Sequence, residues 1–419
     1  MEINKFFAPE TIAIIGASDH EAKVGGILLK KAVLSDCNVI PVNPNHDSLL
    51  GIKCYKSLSE YRGKIDLAII AIPASFVAQA LEECGKNKIH NAIIISAGFA
   101  EIGNSRGEEE LVKIANKYDI RFLGPNCFGI FSPDKNIDTT FSRTIPEKGN
   151  IAFISQSGAL WSYISDFSVD SFGFSGFVSL GNMANLEFYD FIEYFSKDKN
   201  TRSIVLYIEK LKAGKKFIDV CKKTGKKIYA VKAGASEAGT KAAVSHTASI
   251  ATDYGIYKGA FKQAGVILCD SLLDAFEKAS GSKLIEKSKK KIKIGKKAVI
   301  ITNAGGAGAL MSDYLSEKGI KVIKDSDILG TALAEDYKNA FESVKNNAGD
   351  SIVVILTPQS MSEIEETARV IAEFKQQTKK QLVAVFLGKN SMNEANNIFE
   401  QNKISYFNTL EEARNALIV

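Results

Sequence analysis

His246 stands out among the four histidines of the sequence because the residues around it offer few side chains for packing. Residues 234–249 are mainly glycine, alanine, serine and threonine, and they follow the predicted strand Lys227–Lys232. An imidazole can accept a phosphoryl group on one ring nitrogen while a carboxylate holds the other nitrogen and fixes the tautomer. Glu209, at the end of the apolar run Ser203–Ile208, is a candidate for that carboxylate. The alternatives are a structural or surface histidine and a solvated acid.

A serine-rich turn forms a second candidate site. It follows an apolar run at residues 150–154, whose composition predicts a strand, and a helical pattern comes after it. Two hydroxyls and the free backbone N–H groups at the start of a helix can point at one anion. The spacing does not match the GxSxG turn of serine hydrolases, which disfavours that class. The predicted anion-binding residues are Ser155, Gln156, Ser157 and Gly158.

The first apolar run, Thr11–Ile15, leads into another turn of small residues. Residues 16–18 would let backbone N–H groups approach a phosphate, and Lys23 would add a positive charge just before the next helix. The GxGxxG spacing of dinucleotide-binding proteins is absent, and the second run ends at 41–44 without the acidic residue that holds a ribose hydroxyl. A nicotinamide cofactor is therefore disfavoured, and a tight turn without a ligand is the alternative.

Several other predicted strands also end in small or apolar residues. In open α/β sheets, ligands lie over the carboxyl ends of the strands, so these ends together predict a slot for an extended ligand. Tight turns are the alternative at each position taken singly. The predicted lining of the slot is Gly16, Ala17, Ser18, Lys23, Val42, Asn43, Ile72, Pro73, Ser96, Ala97, Gly98 and Asn126.

The elements that must position these residues repeat three times along the chain. A short, continuous, β-branched run is typical of a strand that is buried on both faces of a parallel sheet. Three such runs, at Thr11–Ile15, 150–154 and Lys297–Thr302, each lead into small residues and a helical pattern and so begin three α/β domains. We predict domains at 1–143, 144–284 and 297–419, with a Lys-rich linker at 285–296. Further predicted strands lie at 39–42, 67–72, 92–96, Ser203–Ile208, Lys227–Lys232, 352–357 and 381–387.

The composition is that of an ordinary globular protein. Hydrophobic residues make up 45% of the 419 residues, and the net charge of +5 is too small for the footprint of a nucleic-acid binder. No apolar run reaches the ~18 residues of a bilayer span, and the N-terminus lacks the pattern of a signal peptide. The six cysteines form no CxxC pair, so neither a metal site nor a disulfide framework is predicted, and a cytoplasmic location is expected.

Together these segments resemble the α subunit of ADP-forming acetate–CoA ligase, a family in the succinyl-CoA synthetase superfamily. The resemblance covers nearly the whole chain. Residues 16–18, 41–44 and 124–127 resemble the family's CoA-binding domain. Ser245-His246-Thr247 resembles the family's phosphorylated histidine motif, and residues 207–209 resemble the strand whose glutamate supports that histidine. Residues 151–160 resemble the helix start that cradles the phosphohistidine, and residues 302–308 resemble the opening of the third domain.

The resemblance implies an α/β fold in which a Rossmann-like CoA-binding domain is followed by two flavodoxin-like parallel-sheet domains. It implies a ligase that interconverts acyl-CoA, ADP and phosphate with an acid, ATP and CoA through a phosphoryl group on His246. The cofactor would be coenzyme A. Mg-ATP or Mg-ADP would bind mainly on a separate ATP-grasp β subunit, or on a further part of a longer fusion, because the family's ATP-grasp domains are missing from these 419 residues. The expected substrates are small carboxylic acids and their acyl-CoA thioesters, and no nucleic-acid or membrane partner is expected.

A non-catalytic CoA-binding regulator and the synthetase-like part of a protein acetyltransferase are the alternatives from related classes. Such relatives commonly replace the histidine, whereas His246 and Glu209 are both present here. One departure from the family pattern lies at residues 324–327, where the usual connection is shortened. Three aromatic residues are candidates for shaping the acyl pocket, with a place in the core as the alternative: Trp161, Phe99 and Phe128.

Overall fold

The computed structural model of the chain describes residues 3–247, 253–285, 291–346 and 349–419. Within them the chain folds into three α/β units, each built around one largely parallel sheet. Strands that are buried on both faces need helices to cover them, which explains the alternation of continuous apolar strands with amphipathic helices. Every run that was predicted to be a strand forms one, with its ends shifted by at most two residues. In these residues no helix is long and apolar enough to cross a bilayer.

The first unit has a five-stranded parallel sheet in the order β2-β1-β5-β6-β7, with a small β3–β4 hairpin beside it. Its elements are α1 (Asn4–Phe7), β1 (Thr11–Ile15), α2 (Val24–Ala32), β2 (Asn38–Val42), β3 (Ser48–Leu49), β4 (Ile52–Lys53), β5 (Leu67–Ile70), α3 (Ala74–Lys86), β6 (Asn91–Ile94), α4 (Ser105–Tyr118) and β7 (Arg121–Leu123). The central strand β5 is buried along its whole length.

The second unit has a seven-stranded sheet in the order β14-β13-β12-β10-β11-β8-β9, of which β8 and β9 are antiparallel. Its elements are β8 (Ile130–Ser132), β9 (Ile137–Asp138), β10 (Lys148–Ser155), α5 (Ala159–Phe167), β11 (Phe174–Ser179), α6 (Phe188–Lys197), β12 (Ser203–Ile208), α7 (Gly214–Lys223), β13 (Lys227–Lys232), α8 (Glu237–Thr247), α9 (Tyr254–Ala264), β14 (Ile267–Leu268) and α10 (Leu272–Ser280).

The third unit has a five-stranded parallel sheet in the order β17-β16-β18-β19-β20 and a separate β15–β21 pair. Its elements are β15 (Ile292–Lys293), β16 (Lys297–Thr302), α11 (Gly305–Glu317), β17 (Lys321–Asp327), α12 (Ala334–Val344), β18 (Ser351–Leu356), α13 (Ile364–Gln377), β19 (Gln381–Phe386), α14 (Asn393–Gln401), β20 (Ser405–Phe407), α15 (Leu410–Ala416) and β21 (Leu417–Ile418).

All three parallel sheets share one strand order. When the parallel strands of each unit are numbered along the chain, that order is 2-1-3-4-5, the order of flavodoxin-like sheets. Crossovers leave strands 1 and 3 in opposite directions, so the loops that follow these strands separate and open a crevice. The predicted α/β class with parallel-sheet domains is confirmed, and each strand-then-glycine turn follows the first parallel strand of its main sheet.

The sheets cross the predicted domain boundaries in places. Residues 130–138, which were assigned to the first domain, form β8 and β9 and extend the second sheet, because β8 pairs antiparallel with β11. The short helix α1 also packs on the second unit, where the ring of Phe7 stacks on that of Tyr194 at 4.3 Å. Part of the predicted linker at 285–296 forms β15, which pairs with β21, while residues 286–290 lie outside the described part of the chain. The domain boundaries themselves stay a prediction.

A buried carboxyl group joins the third unit to the second. Glu411, at the start of α15, is only 3% exposed. One of its oxygens accepts from the backbone N–H of Leu273 at 3.1 Å, and the other accepts from the hydroxyl of Tyr163 at 3.5 Å. Burial raises the pKa of Glu411, although the bond from Leu273 acts in the opposite direction. The charged form of this side chain is therefore disfavoured in the folded protein.

We predict that Glu411→Gln stabilises the protein more at pH 7.5 than at pH 5. Because the pKa of Glu411 is raised in the folded state, its contribution to the free energy of unfolding is fully present below the unfolded-state pKa. That contribution is lost as the pH rises through the folded-state pKa. Glutamine keeps an acceptor for Leu273 and carries no charge. The expected gain in Tm at pH 7.5 is about 1–2 °C for each ~1.4 kcal/mol of stabilisation, the free energy that corresponds to one pKa unit. Thermal unfolding of both proteins at the two pH values measures this, and equal changes in Tm would contradict it.

Candidate functional site

A cavity of about 720 Å³ lies where the three units meet. Its walls come from the carboxyl ends of strands in the first sheet, from the starts of α5 and α11, from one face of α8 and from the end of β17. The loops after β10 and β16 lie at the crevices of the second and third sheets, and both line this cavity. The predicted site residues that line the cavity are Ile72, Pro73, Ser96, Ala97, Asn126, Gln156, Ser157 and Gly158.

Two strand ends of the first sheet are tied together at the wall of the cavity. The hydroxyl of Ser96 donates to the carbonyl of Ile72 at 2.5 Å, and the backbone N–H of Ile72 donates to the same hydroxyl at 3.2 Å. Nearby, the backbone N–H of Gly98 donates to a carboxylate oxygen of Glu101. These bonds fix the loops after β5 and β6 and leave a slot over the carboxyl edge of the sheet.

The loop after β1 is closed by contacts that only glycine permits. Gly16 has a φ of +91°, and a Cβ there would lie 2.3 Å from the carbonyl oxygen of Ala71. A Cβ at Gly25, in the first turn of α2, would lie 1.9 Å from the carbonyl oxygen of Gly16. Asn43 donates through Nδ2 to the carbonyl of Ala17 at 2.8 Å and so joins this loop to the end of β2. The predicted slot residues that lie outside the cavity itself are Gly16, Ala17, Ser18, Lys23, Val42, Asn43 and Gly98.

Gln156 presents a buried donor to the cavity. Its Oε1 accepts from the backbone N–H groups of Glu209 at 2.6 Å and Lys210 at 2.8 Å, so the amide orientation is determined by its partners. The Nε2 atom is left without a hydrogen-bond partner among the described residues, although the side chain is only 3% exposed. Buried donors are almost always paired in native proteins, so this one points to a ligand oxygen.

The other residues of the serine-rich turn have different tasks. The hydroxyl of Ser155 donates to the carbonyl of Ser157 at 2.6 Å, so it shapes the turn and does not face the cavity. Gly158 directly precedes α5, which has no side-chain cap. The start of α5 therefore keeps free backbone N–H groups and the positive end of the helix dipole.

The start of α11 lies against the start of α5, although the two helices belong to different units. A Cβ at Gly306 would lie 2.5 Å from Cβ of Ser157, and the hydroxyl of Tyr207 donates to the carbonyl of Gly306 at 3.1 Å. Two positive helix ends thus meet beside the donor of Gln156, which suits an anion. Sequence reasoning missed this contribution, although the glycine run in residues 303–308 signalled a close approach.

Helix α8 brings the candidate histidine to the same place. Ala238, Lys241 and Ala242 of this helix line the cavity. His246 follows Ala242 by four residues, so its backbone position lies on the same face of the helix. The side chain of His246 lies outside the described part of the structure, and its pairing with Glu209 stays a prediction.

Glu209 is buried directly after β12, next to a buried cation that the sequence did not reveal. Lys232 ends β13 beside Ile208, and its Nζ lies 4.4 Å from the centre of the Tyr257 ring and donates to the carbonyl of Ala233. Burial lowers the pKa of Lys232 to about 8, while the negative charges of Glu209 and Asp313 act in the opposite direction. The region around the predicted catalytic carboxylate is therefore partly charge-compensated.

The candidate acyl-pocket aromatics separate into two groups. Phe128 lines the cavity and packs on Phe141, with ring centres 3.7 Å apart. Trp161 and Phe99 are buried in the core, as the alternative interpretation had it. Cys127 also lines the cavity, where its thiol donates to the carbonyl of Ile94 at 3.3 Å and burial raises its pKa to about 12.

Comparisons with known proteins agree with this architecture. Residues 10–133 match a CoA binding domain family, and residues 148–280 match a succinyl-CoA ligase like flavodoxin domain family. The chain is 36% identical to acetate–CoA ligase [ADP-forming] II subunit alpha of Pyrococcus furiosus, over 98% of this chain and 95% of that protein. It is also 36% identical to acetate–CoA ligase [ADP-forming] I of Archaeoglobus fulgidus, but there it covers 61% of that protein and 97% of its own length.

A solved structure shares the fold over almost the whole chain. It is the dinucleotide forming acetyl-coenzyme A synthetase 1 of Ca. Korarchaeum cryptofilum in complex with phosphate and ADP, which is 32% identical with a TM-score of 0.64. The match covers 99% of this chain and 95% of that one. Fold, cavity and sequence thus define an acid–thiol ligase component with a CoA-binding domain. The chain belongs to the family of ADP-forming acetate–CoA ligases, so the predicted resemblance is confirmed.

We predict that Gly25→Ala weakens CoA binding at least tenfold. The added methyl group would lie 1.9 Å from a backbone oxygen of the Gly16 loop, so α2 must move away from that loop. The matched control is Gly259→Ala in α9, where a Cβ meets nothing within 4 Å and alanine adds about 0.5–1 kcal/mol to a helix interior. Isothermal titration with CoA measures both variants, and unchanged affinity in Gly25→Ala would count against a CoA site over this loop.

Proposed function

We propose that the chain is the CoA-binding, phosphohistidine-carrying part of a synthetase that interconverts acyl-CoA, ADP and phosphate with an acid, ATP and CoA. The observation that carries this proposal is the single cavity in which the slot of the first sheet, the paired starts of α5 and α11, and the face of α8 that includes His246 come together. The slot supports the binding of CoA, the paired helix starts support the binding of phosphate, and the face of α8 supports the role of His246.

CoA would lie along the carboxyl edge of the first sheet. The glycine-closed loop at Gly16 and the start of α2 suit its phosphates, because free backbone N–H groups and the helix dipole favour an anion there. The slot then continues past Ile72, Pro73 and Ser96 into the cavity. An acyl-CoA that binds in this direction would have its thioester end at the anion site, which is formed by the starts of α5 and α11 and by Gln156.

Inorganic phosphate would bind at the starts of α5 and α11. Gln156 Nε2 supplies a buried donor, and Ser157 and Gly158 line the cavity beside it. A phosphate oxygen attacks the thioester carbonyl, the carbon–sulfur bond breaks, and CoA leaves as the thiol after taking a proton. The products of this step are an acyl phosphate and free CoA. Positive helix ends stabilise the negative charge that develops on the phosphoryl group.

His246 would then take the phosphoryl group from the acyl phosphate. A ring nitrogen attacks phosphorus, the bond from phosphorus to the acyl oxygen breaks, and the carboxylic acid leaves as its carboxylate. Glu209 would hold the other ring nitrogen and stabilise the positive imidazole. The phosphohistidine finally passes its phosphoryl group to ADP, which yields ATP and restores the imidazole.

The ADP site would lie mainly on an ATP-grasp β subunit, as a separate chain or as a further part of a longer one. The relative from Pyrococcus furiosus is named as a subunit alpha, which supports the first arrangement. The first predicted domain would then bind CoA, the second would carry the histidine, and the third would contact the partner. A cytoplasmic location is proposed because all six cysteines are free thiols.

The first test is to incubate the purified chain with acetyl-CoA, Mg²⁺ and inorganic phosphate and to measure its intact mass. We expect one added phosphoryl group that is lost in acid, stable in base and absent from His246→Ala. If this reaction gives no label, the incubation is repeated with ATP and a β subunit of the family. Failure to label His246 under both conditions would refute the proposed function.

Gln156→Glu tests the anion site separately. It replaces the buried donor by a negative oxygen next to the bound phosphate, so the rate of His246 phosphorylation at fixed phosphate should fall on the order of 100-fold, as when one donor to a developing charge is lost. Gln401→Glu, the same change at an exposed position of α14, should alter the rate less than twofold. Equal rates in the two variants would remove Gln156 from the site.

A further inference from the structure

A carboxylate of the third unit anchors the helix that carries His246. Asp313 lies on α11 and is only 8% exposed. Its Oδ2 accepts from the backbone N–H of Gly234 at 2.8 Å, and its Oδ1 accepts from both the backbone N–H and the hydroxyl of Ser236, each at 2.7 Å. These donors belong to the turn that leads from β13 into α8, so one side chain from another unit holds the beginning of this helix.

The first turn of α8 is packed directly on this carboxylate. A Cβ at Gly239 would lie 1.9 Å from Oδ1 of Asp313, so only glycine allows the helix to approach so closely. The hydroxyl of Ser236 also accepts from the backbone N–H of Gly239 at 2.9 Å. A negative charge near the start of a helix interacts favourably with its dipole. Contact geometry and electrostatics therefore favour one position of α8.

Helix α11 touches both the anion site and α8. Its residue Gly306 contacts Ser157 at the start of α5, and Asp313 follows seven residues later on the same helix. At 1.5 Å per residue the two contacts are about 10 Å apart along a rigid axis. The third unit thus sets the spacing between the proposed phosphate site and the helix face that includes His246.

We propose that Asp313 is a positioning residue for phosphoryl transfer at His246. By holding the start of α8 it sets the direction from which the imidazole meets the acyl phosphate. This inference rests on the proposed function, and it gives the third unit a role in the reaction. A carboxylate that only stabilised the contact between units would leave the rate of phosphorylation unchanged once the protein is folded.

The test is Asp313→Asn in the full chain, with Glu317→Gln as the matched control. An asparagine amide turns one acceptor into a donor that faces the N–H of Gly234 or Ser236. Glu317 lies one turn further along α11, where it pairs with Arg414 at the surface. In single-turnover reactions with acetyl-CoA and inorganic phosphate, Asp313→Asn should phosphorylate His246 at least tenfold more slowly, while CoA affinity stays within twofold. Glu317→Gln should match the wild type in both measurements.

Amide hydrogen exchange supplies a readout that does not depend on catalysis. Peptides from residues 234–247 should exchange faster in Asp313→Asn, whereas those from α9 should not change. A phosphorylation rate within twofold of the wild type overturns the proposal. So does a loss of CoA affinity as large as the loss of rate, because that would indicate general damage. If the wild type itself is never labelled, the proposed function fails, and the exchange result still decides whether Asp313 anchors α8.

A second pair of variants tests the contact itself. Gly239→Ala should slow phosphorylation at least tenfold when Asp313 is present, because the new methyl group displaces α8. In an Asp313→Ala background the space is open, and Gly239→Ala should lower the phosphorylation rate by less than a further twofold. Equal effects in the two backgrounds would show that the methyl group acts elsewhere and would overturn the proposal.

Discussion

The contact between the starts of α5 and α11 is the constraint on which the rest of the site depends. At Gly306 there is no room for a side chain against Ser157, so two helix ends from different units are held at one point. Helix ends repel when their positive poles meet without a counter-charge, and an anion at the junction relieves that repulsion. The arrangement therefore makes ligand binding and the docking of the third unit favour one another.

Buried charges of opposite sign form a partly compensated group. Lys232, Glu209 and Asp313 come from two units, and each would be costly to bury without the others. The direction of the pKa change at Lys232 shows that burial outweighs the attraction of both acids. The group contains one positive and two negative formal charges, so removing either acid would leave one charge of each sign.

Apolar runs and glycine turns in the sequence predicted much of the fold, but they did not predict much of the site. Continuous apolar strands such as Ser203–Ile208 and glycine turns such as the one at Gly16 have local causes, so the sequence predicted them. Strands β8 and β9 in residues 130–138 were not predicted because two short antiparallel strands carry no strong period of their own, and their place depends on an edge offered by β11. Asp313 and Lys232 were missed because a buried charge looks like any surface charge until its long-range partners are known. The small residues around His246 marked it as a candidate site, but its role as a phosphoryl carrier was inferred from the resemblance to the family.

Cys127 has a chemical consequence in a cavity that would receive thioesters. A free thiolate there would compete with phosphate for the acyl carbon and would divert the acyl group onto the protein by thioester exchange. With its pKa raised to about 12 by burial, the thiol stays protonated at pH 7, and it donates to the carbonyl of Ile94. Burial thus protects the substrate from a nucleophile that the cavity wall itself contains.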